Sequence, residues 1–144
     1  MTTSATTRPT IIPTFRYKNA RAAIDWLTSA FGFEEHLVVP GENDKIVHAQ
    51  LTFGNGMIML GSSGDDEFGA LQHAPSGGKG PTFQSPYIVV VDIENHYRRA
   101  IAAGASIAIA LRAEDYGGKV YSCWDPQGHL WNFGSYDPWA DEPH

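Results

Sequence analysis

Apolar positions along the chain predict two helices and eight short strands. Between positions 20 and 31, Ala20, Ala23, Ile24, Leu27, Ala30 and Phe31 follow the i, i+3, i+4 spacing of a helix laid on a core. Asn19 stands in the N-cap position, and Gly32 stands where a left-handed residue closes a helix without steric cost. A second helix is predicted from Asp92 as cap to Gly104 as terminator, with Ile93, Tyr97, Ala100 and Ile101 on one face. Strands are predicted at 10–17, 33–39, 45–53, 57–61, 86–91, 106–110, 119–124 and 129–134. The run Tyr87-Ile88-Val89-Val90-Val91 reads as a strand covered on both faces.

The punctuation repeats. The caps Asn19 and Asp92 lie 73 positions apart, the closing glycines Gly32 and Gly104 lie 72 apart, and the hairpin glycines Gly56 and Gly128 again lie 72 apart. A fixed offset of this kind marks an internal repeat, here of a strand–helix–three-strand unit. Each such unit has a sheet face in need of cover, so two are expected to pack together. The segmentation that follows is a disordered tail at 1–9, modules at 10–61 and 85–136 in a single domain, a joining loop at 62–84 and a fraying polar tail at 137–144. The joining loop carries five glycines between Gly64 and Gly80, and its length suggests a function or a junction.

Composition narrows the class of function. At 144 residues, with 42% hydrophobic and 18% charged residues, the chain has enough apolar material to form a core without disulfides or a structural metal. A net charge of −6, with only 10 Lys and Arg, argues against a nucleic-acid partner. Cys123 is the single cysteine, which fits a reducing compartment. No apolar run approaches the ~20 residues that cross a bilayer, and the N-terminus lacks the apolar core of a signal peptide. The expectation is a cytoplasmic protein with no membrane partner.

Several stretches carry a family likeness: Arg16-Tyr17-Lys18-Asn19, Ala23-Ile24-Asp25-Trp26-Leu27, Ala30-Phe31-Gly32-Phe33-Glu34, Val91-Asp92, and Ala102-Ala103-Gly104-Ala105. The closing stretch Asp125-Pro126-Gln127-Gly128-His129-Leu130-Trp131-Asn132-Phe133 carries it most closely. In this order and spacing, from about Thr10 to Tyr136, the chain resembles the vicinal oxygen chelate superfamily of glyoxalase I, extradiol dioxygenases and bleomycin-resistance proteins. The resemblance implies an α+β fold of tandem βαβββ units forming a half-open mixed β-barrel around a cavity. It also implies a homodimer, domain-swapped or side by side.

Metal-using members of that family place four ligands, one in the first and one in the last strand of each unit. The corresponding positions here are Ile12 with Pro13 and Thr14, Met59 or Leu60, Pro86 between Ser85 and Tyr87, and Asn132. None is His, Asp or Glu, so no metal and no cofactor is expected, and no catalytic residue is assigned. Cys123 reads as a buried inert thiol. Of the histidines, His48 lies mid-strand, whereas His36, His73, His96 and His144 read as solvated and His129 as a turn residue.

Strand alternation sets Ser122 and Trp124 on one face and Tyr121 and Cys123 on the other. In the last strand, the resemblance implies that Asn132, at the family's ligand position, takes the cavity side, which leaves Trp131 on the core side. Ligand-binding candidates are therefore His48, Gln50, Ser122, Trp124 and Asn132, with Tyr121 carried alongside because the assignment depends on register. The expected function is metal-independent binding of an unidentified small molecule, planar or cationic. The acidic stretch Gly64-Asp65-Asp66-Glu67 carries the charge argument. A bleomycin-resistance protein sequesters its ligand in this manner. The alternative is a glyoxalase-like lyase or isomerase, or a dioxygenase-type enzyme, with His48 as a candidate acid–base group.

Overall fold

The computed structural model describes residues 7–64 and 66–140. The expected disorder of the first residues and fraying of the last concern segments largely outside them. The chain divides into two compact units between Ser76 and Gly77, within the predicted joining loop.

The first unit runs β1 (Thr14–Tyr17), α1 (Ala20–Phe31), β2 (Glu34–Pro40), β3 (Ile46–Phe53) and β4 (Gly56–Ser62), followed by a 3₁₀ turn at Phe68–Ala70. The second runs β5 (Tyr87–Val89), α2 (Ile93–Ala102), β6 (Ser106–Ala113), β7 (Lys119–Trp124) and β8 (Leu130–Gly134). Each forms a four-stranded sheet, in the orders β1-β4-β3-β2 and β5-β8-β7-β6. In each sheet the first strand runs parallel to the last and the remaining pairs are antiparallel. The fold is α+β, with the βαβββ order that the repeat predicted.

Local chemistry starts and stops the helices as the sequence implies. The Asn19 side chain accepts from the Ala22 amide at 3.0 Å, and Gly32 closes α1 at φ 89° with its N–H bonded to Leu27. Asp92 does the same for α2, accepting from the Asn95 amide at 3.3 Å, and Gly104 follows at φ 98°. One face of each sheet is buried against its helix. In the first unit Ile24, Leu27, Ala30 and Phe31 are buried along with Tyr17, Ala49, Leu51 and Leu60 of the strands. In the second, Ile93, His96 and Ala100 are buried along with Tyr121, Cys123, Trp131 and Phe133.

Three expectations change. His96, expected in solvent, is buried within α2, with its Nδ1 2.8 Å from the Tyr121 hydroxyl and its ring 4.4 Å from that of Phe133. It takes the helix position that Ala23 holds in the first unit, and the hydroxyl satisfies a ring nitrogen that would otherwise be costly to bury. Ile101, expected on the buried face, is 46% exposed, since Ile93, His96 and Ala100 already complete the stripe. The apolar run of β5 is an edge strand, paired among the described residues with β8 alone. Tyr87 and Val89 are exposed, and Val91 lies beyond the strand at 98% exposure.

Candidate functional site

Each sheet has a second face, opposite its helix, and strand alternation assigns its residues. On the first sheet these are Thr14 and Arg16 of β1, His48, Gln50 and Thr52 of β3, and Met57, Met59 and Gly61 of β4. The register sets Thr14 against Met59 and Met59 against Gln50. On the second sheet the register sets Tyr87 against Asn132 and Asn132 against Ser122, with Trp124 against Leu130 one row on. These are the same places in the repeat, because Met59 and Asn132 are 73 positions apart and Gln50 and Ser122 are 72 apart.

Five of the six binding candidates lie on these two faces. On the first, the Gln50 amide nitrogen is 3.0 Å from Nε2 of His48. On the second, the Ser122 hydroxyl donates to Oδ1 of Asn132 at 2.6 Å. The Asn132 Nδ2 in turn donates to the Ser85 hydroxyl at 2.7 Å and the Pro86 carbonyl at 3.0 Å. Trp124 shares this face, and its indole Nε1 is buried with no hydrogen-bond partner among the described residues. Tyr121 does not join them. It lies on the helix side, fully buried, stacked on Phe133 at 5.5 Å, and burial pushes its phenol well above the usual range.

The four positions at which the resemblance leads one to expect metal ligands are held alike in the two units. The Met59 amide donates to the Pro13 carbonyl at 2.9 Å, and the Asn132 amide donates to the Pro86 carbonyl at 3.1 Å, the same contact in both units. Of Met59 and Leu60, Met59 is on the open face, and Leu60 is buried on the other. At these positions the first unit offers the Met59 thioether with the Thr14 hydroxyl beside it, and the second offers the Asn132 carboxamide, whose oxygen already accepts from Ser122, with the Tyr87 phenol beside it. A divalent ion that takes carboxylates and imidazoles does not fit either set. Among the described residues, no group of three His, Cys, Asp or Glu is placed to hold a metal.

Two further features were not legible in the sequence. Arg16 is nearly buried, and its Nη2 lies 3.2 and 3.3 Å from the two oxygens of Asp66, in the acidic stretch read from sequence as favouring a cationic ligand. Its guanidinium carbon sits 5.1 Å from the centre of the Phe68 ring, a cation–π distance. The Gln72 amide nitrogen bonds the Thr14 carbonyl at 3.0 Å, so the segment after β4 is fastened along β1. Asp65, in the same stretch, is outside the described residues.

The second feature is Asp125. Its Oδ1 accepts from the amides of Gln127, Gly128 and His129, and its Oδ2 accepts from the Trp131 indole at 3.1 Å. That single carboxylate explains physically why the closing stretch needs Asp, Gly and Trp at that spacing. Cys123, close by, is pushed up to about 12 by burial first and by the Asp125 charge second, which leaves a protonated, unreactive thiol. A groove of about 380 Å³ near the start of α1 is lined by Asn19, Arg21, Pro40, Gly41, Asp44, Lys45 and Ile46 and holds none of the binding candidates.

Known proteins share both the sequence and this geometry. The chain is 30% identical over 126 residues to an uncharacterized protein of Mycobacterium bovis, covering 88% of this chain and 82% of that protein. TioX from Micromonospora sp. ML1 superimposes with a TM-score of 0.68 at 31% identity, over 86% of this chain and 95% of TioX. The fosfomycin resistance protein FosX from Listeria monocytogenes, in complex with Mn(II) and sulfate, superimposes with a TM-score of 0.64 over 92% of this chain and 94% of its own. At 12% identity that last likeness shows the fold alone. Residues 12–133 match the family described as the Glyoxalase/Bleomycin resistance protein/Dioxygenase superfamily. With the paired βαβββ units already in view, the chain belongs to that superfamily.

Proposed function

We propose that the protein binds a planar small molecule without a metal, in the manner of a sequestering protein, through the open faces of its sheets. The observation that carries this reading is Trp124. Its indole N–H is buried on an open face with no acceptor among the described residues. A buried donor left unpaired costs about 1–3 kcal/mol, and an acceptor on a bound ligand would recover it. The indole ring also offers a stacking surface, and each aromatic pair adds about 0.5–1.5 kcal/mol beyond area burial. The donor set at the family's metal positions gives the same reading its second support.

The test is a thermal-shift and tryptophan-fluorescence titration with a panel of planar aromatic compounds, run on the wild type and on Trp124→Phe. Stabilisation and quenching are expected in the wild type, with both reduced at least severalfold in the variant. If no compound stabilises the wild type, the reading fails. The enzyme alternative draws its support from His48, whose Nε2 lies 3.0 Å from the Gln50 amide nitrogen on an open face. Consumption of a ligand during the same titration would favour it over sequestration.

A further inference from the structure

Asn132 settles which way its neighbours' protons point. One end of its side-chain amide lies 3.0 Å from the Pro86 carbonyl, and a carbonyl only accepts, so that end is the NH₂. The second NH₂ hydrogen goes to the Ser85 hydroxyl at 2.7 Å. Oδ1 is therefore turned to Ser122, at 2.6 Å, and takes the proton of that hydroxyl. A serine has one proton to give. What the buried Ser122 oxygen has left is acceptor capacity, and among the described residues no donor reaches it.

Trp124 presents the opposite need on the same strand face. It lies two residues on, about 7 Å along the strand, and its buried Nε1–H has no acceptor among the described residues. The register completes the two rows: Ser106 and Leu130 flank Trp124, while Ile109 and Asn132 flank Ser122. Tyr87, beside Asn132, passes over Gly134 and donates its hydroxyl proton to the Tyr136 backbone carbonyl at 2.7 Å. No side chain in these two rows is ionised at neutral pH, so they match uncharged groups. The first unit lacks this pattern. Its equivalent places hold Gln50, Thr52 and Met59, and a thioether has no proton with which to direct the neighbouring Gln50.

We infer that the open face of the second sheet selects uncharged planar ligands carrying two groups: an acceptor for the Trp124 N–H and an N–H or O–H donor for the Ser122 oxygen. Lactams, imides and related amide-bearing rings are the class. The inference rests on the reading of that face as a ligand-binding surface and adds a polar pattern to it.

The probes are 2-quinolone and 4-quinolone, which set carbonyl and N–H side by side or across the ring, and the N-methyl derivative of each, which keeps the carbonyl and loses the donor. Each is titrated into the wild type, Ser122→Ala and Trp124→Phe. The Trp124 Nε1–Hε1 NMR signal, assigned by its loss from Trp124→Phe, is followed throughout. In the wild type at least one quinolone should bind about three- to tenfold more tightly than its N-methyl derivative, the worth of one hydrogen bond, and should move the Trp124 signal downfield. In Ser122→Ala that preference should shrink to within about twofold. Trp124→Phe should weaken the quinolone and its N-methyl derivative by similar factors, because phenylalanine keeps a stacking ring and loses the donor. Equal binding of both quinolones and their N-methyl derivatives overturns the inference while leaving planar-ligand binding in place. So does a Trp124 signal that stays unmoved at saturation, or a preference undiminished in Ser122→Ala with a cooperative denaturation curve. Absence of binding by all four probes also overturns it, and whether the broader reading falls too is decided by the Trp124 titration with planar compounds that lack N–H and O–H donors.

Discussion

Gly61 and Gly134 occupy the same place in the two units, 73 positions apart, at the ends of β4 and β8. In the first unit a side chain at Gly61 would meet Arg16 and the Val47 carbonyl. In the second, a side chain at Gly134 would meet the Tyr87 hydroxyl, Val120 Cγ2 at 2.7 Å and the Lys119 carbonyl at 3.0 Å. Val47 and Lys119 are themselves equivalent, so the two crowded carbonyls are the same feature seen twice. What differs is the edge-strand residue and the bond it makes, an ion pair in one unit and a neutral hydrogen bond in the other. The comparison teaches that the scaffold repeats more faithfully than the chemistry it carries. A glycine kept for close approach permits either chemistry.

The turns before β4 and β8 differ in the same way, and they offer the largest test. Gly54 at φ 56° turns the first hairpin by backbone alone, whereas the second is organised by the buried carboxylate of Asp125. Asp125→Ala should therefore cost about 3 kcal/mol in urea denaturation, because four donors lose a charged acceptor at once. A loss under about 1 kcal/mol would mean that the closing turn holds itself without the carboxylate. The glycine pair comes next. Both positions face a backbone carbonyl, at 2.9 Å for Gly61 and 3.0 Å for Gly134, so each Ala substitution should cost at least about 1 kcal/mol, and Gly134→Ala about 1 kcal/mol more, because Val120 and the Tyr87 hydroxyl also crowd it whereas the long Arg16 can give way over Gly61. Equal costs in matched denaturation curves would remove the asymmetry.

The smallest effect is a pH dependence confined to the second unit. Burial, followed by the nearby Tyr116, Tyr136 and Asp137, pushes the Tyr87 phenol up to about 12. A phenol raised above its unfolded value of about 10 stabilises the fold below that pH, and the contribution is lost as pH rises through 12. Denaturation midpoints should therefore fall between about pH 10 and 12, and Tyr87→Phe should flatten that fall. An unchanged slope in the variant would place the titration elsewhere.

The family, the repeat, both helices with their caps, and the order of the eight strands were legible because they rest on local periodicity and punctuation. Asn19, Gly32 and Asp92 act within a few residues of themselves, so their roles can be read in one dimension. The separation of Trp131 from Asn132 by strand alternation was legible for the same reason. Ser122 and Asn132 were named as facing residues, but their hydrogen bond depends on a β7–β8 register that no local pattern specifies. Tyr121 illustrates the limit. Its partner His96 is 25 positions away in sequence, and helical spacing alone could not show that a polar residue takes the place of Ala23.

Local sequence thus determined which segments are helix and strand and that they come in two copies. Those properties follow from residue type and spacing, which the chain carries before it folds. Only the tertiary structure decided that Arg16 meets Asp66 across 50 positions, that Asp125 gathers the closing turn, and that the Trp124 indole N–H is buried with its donor unused. Each of these is a contact between groups brought together by strand register or by a returning loop. Hydrogen bonds and ion pairs act over a few ångströms in space, whatever the distance along the chain.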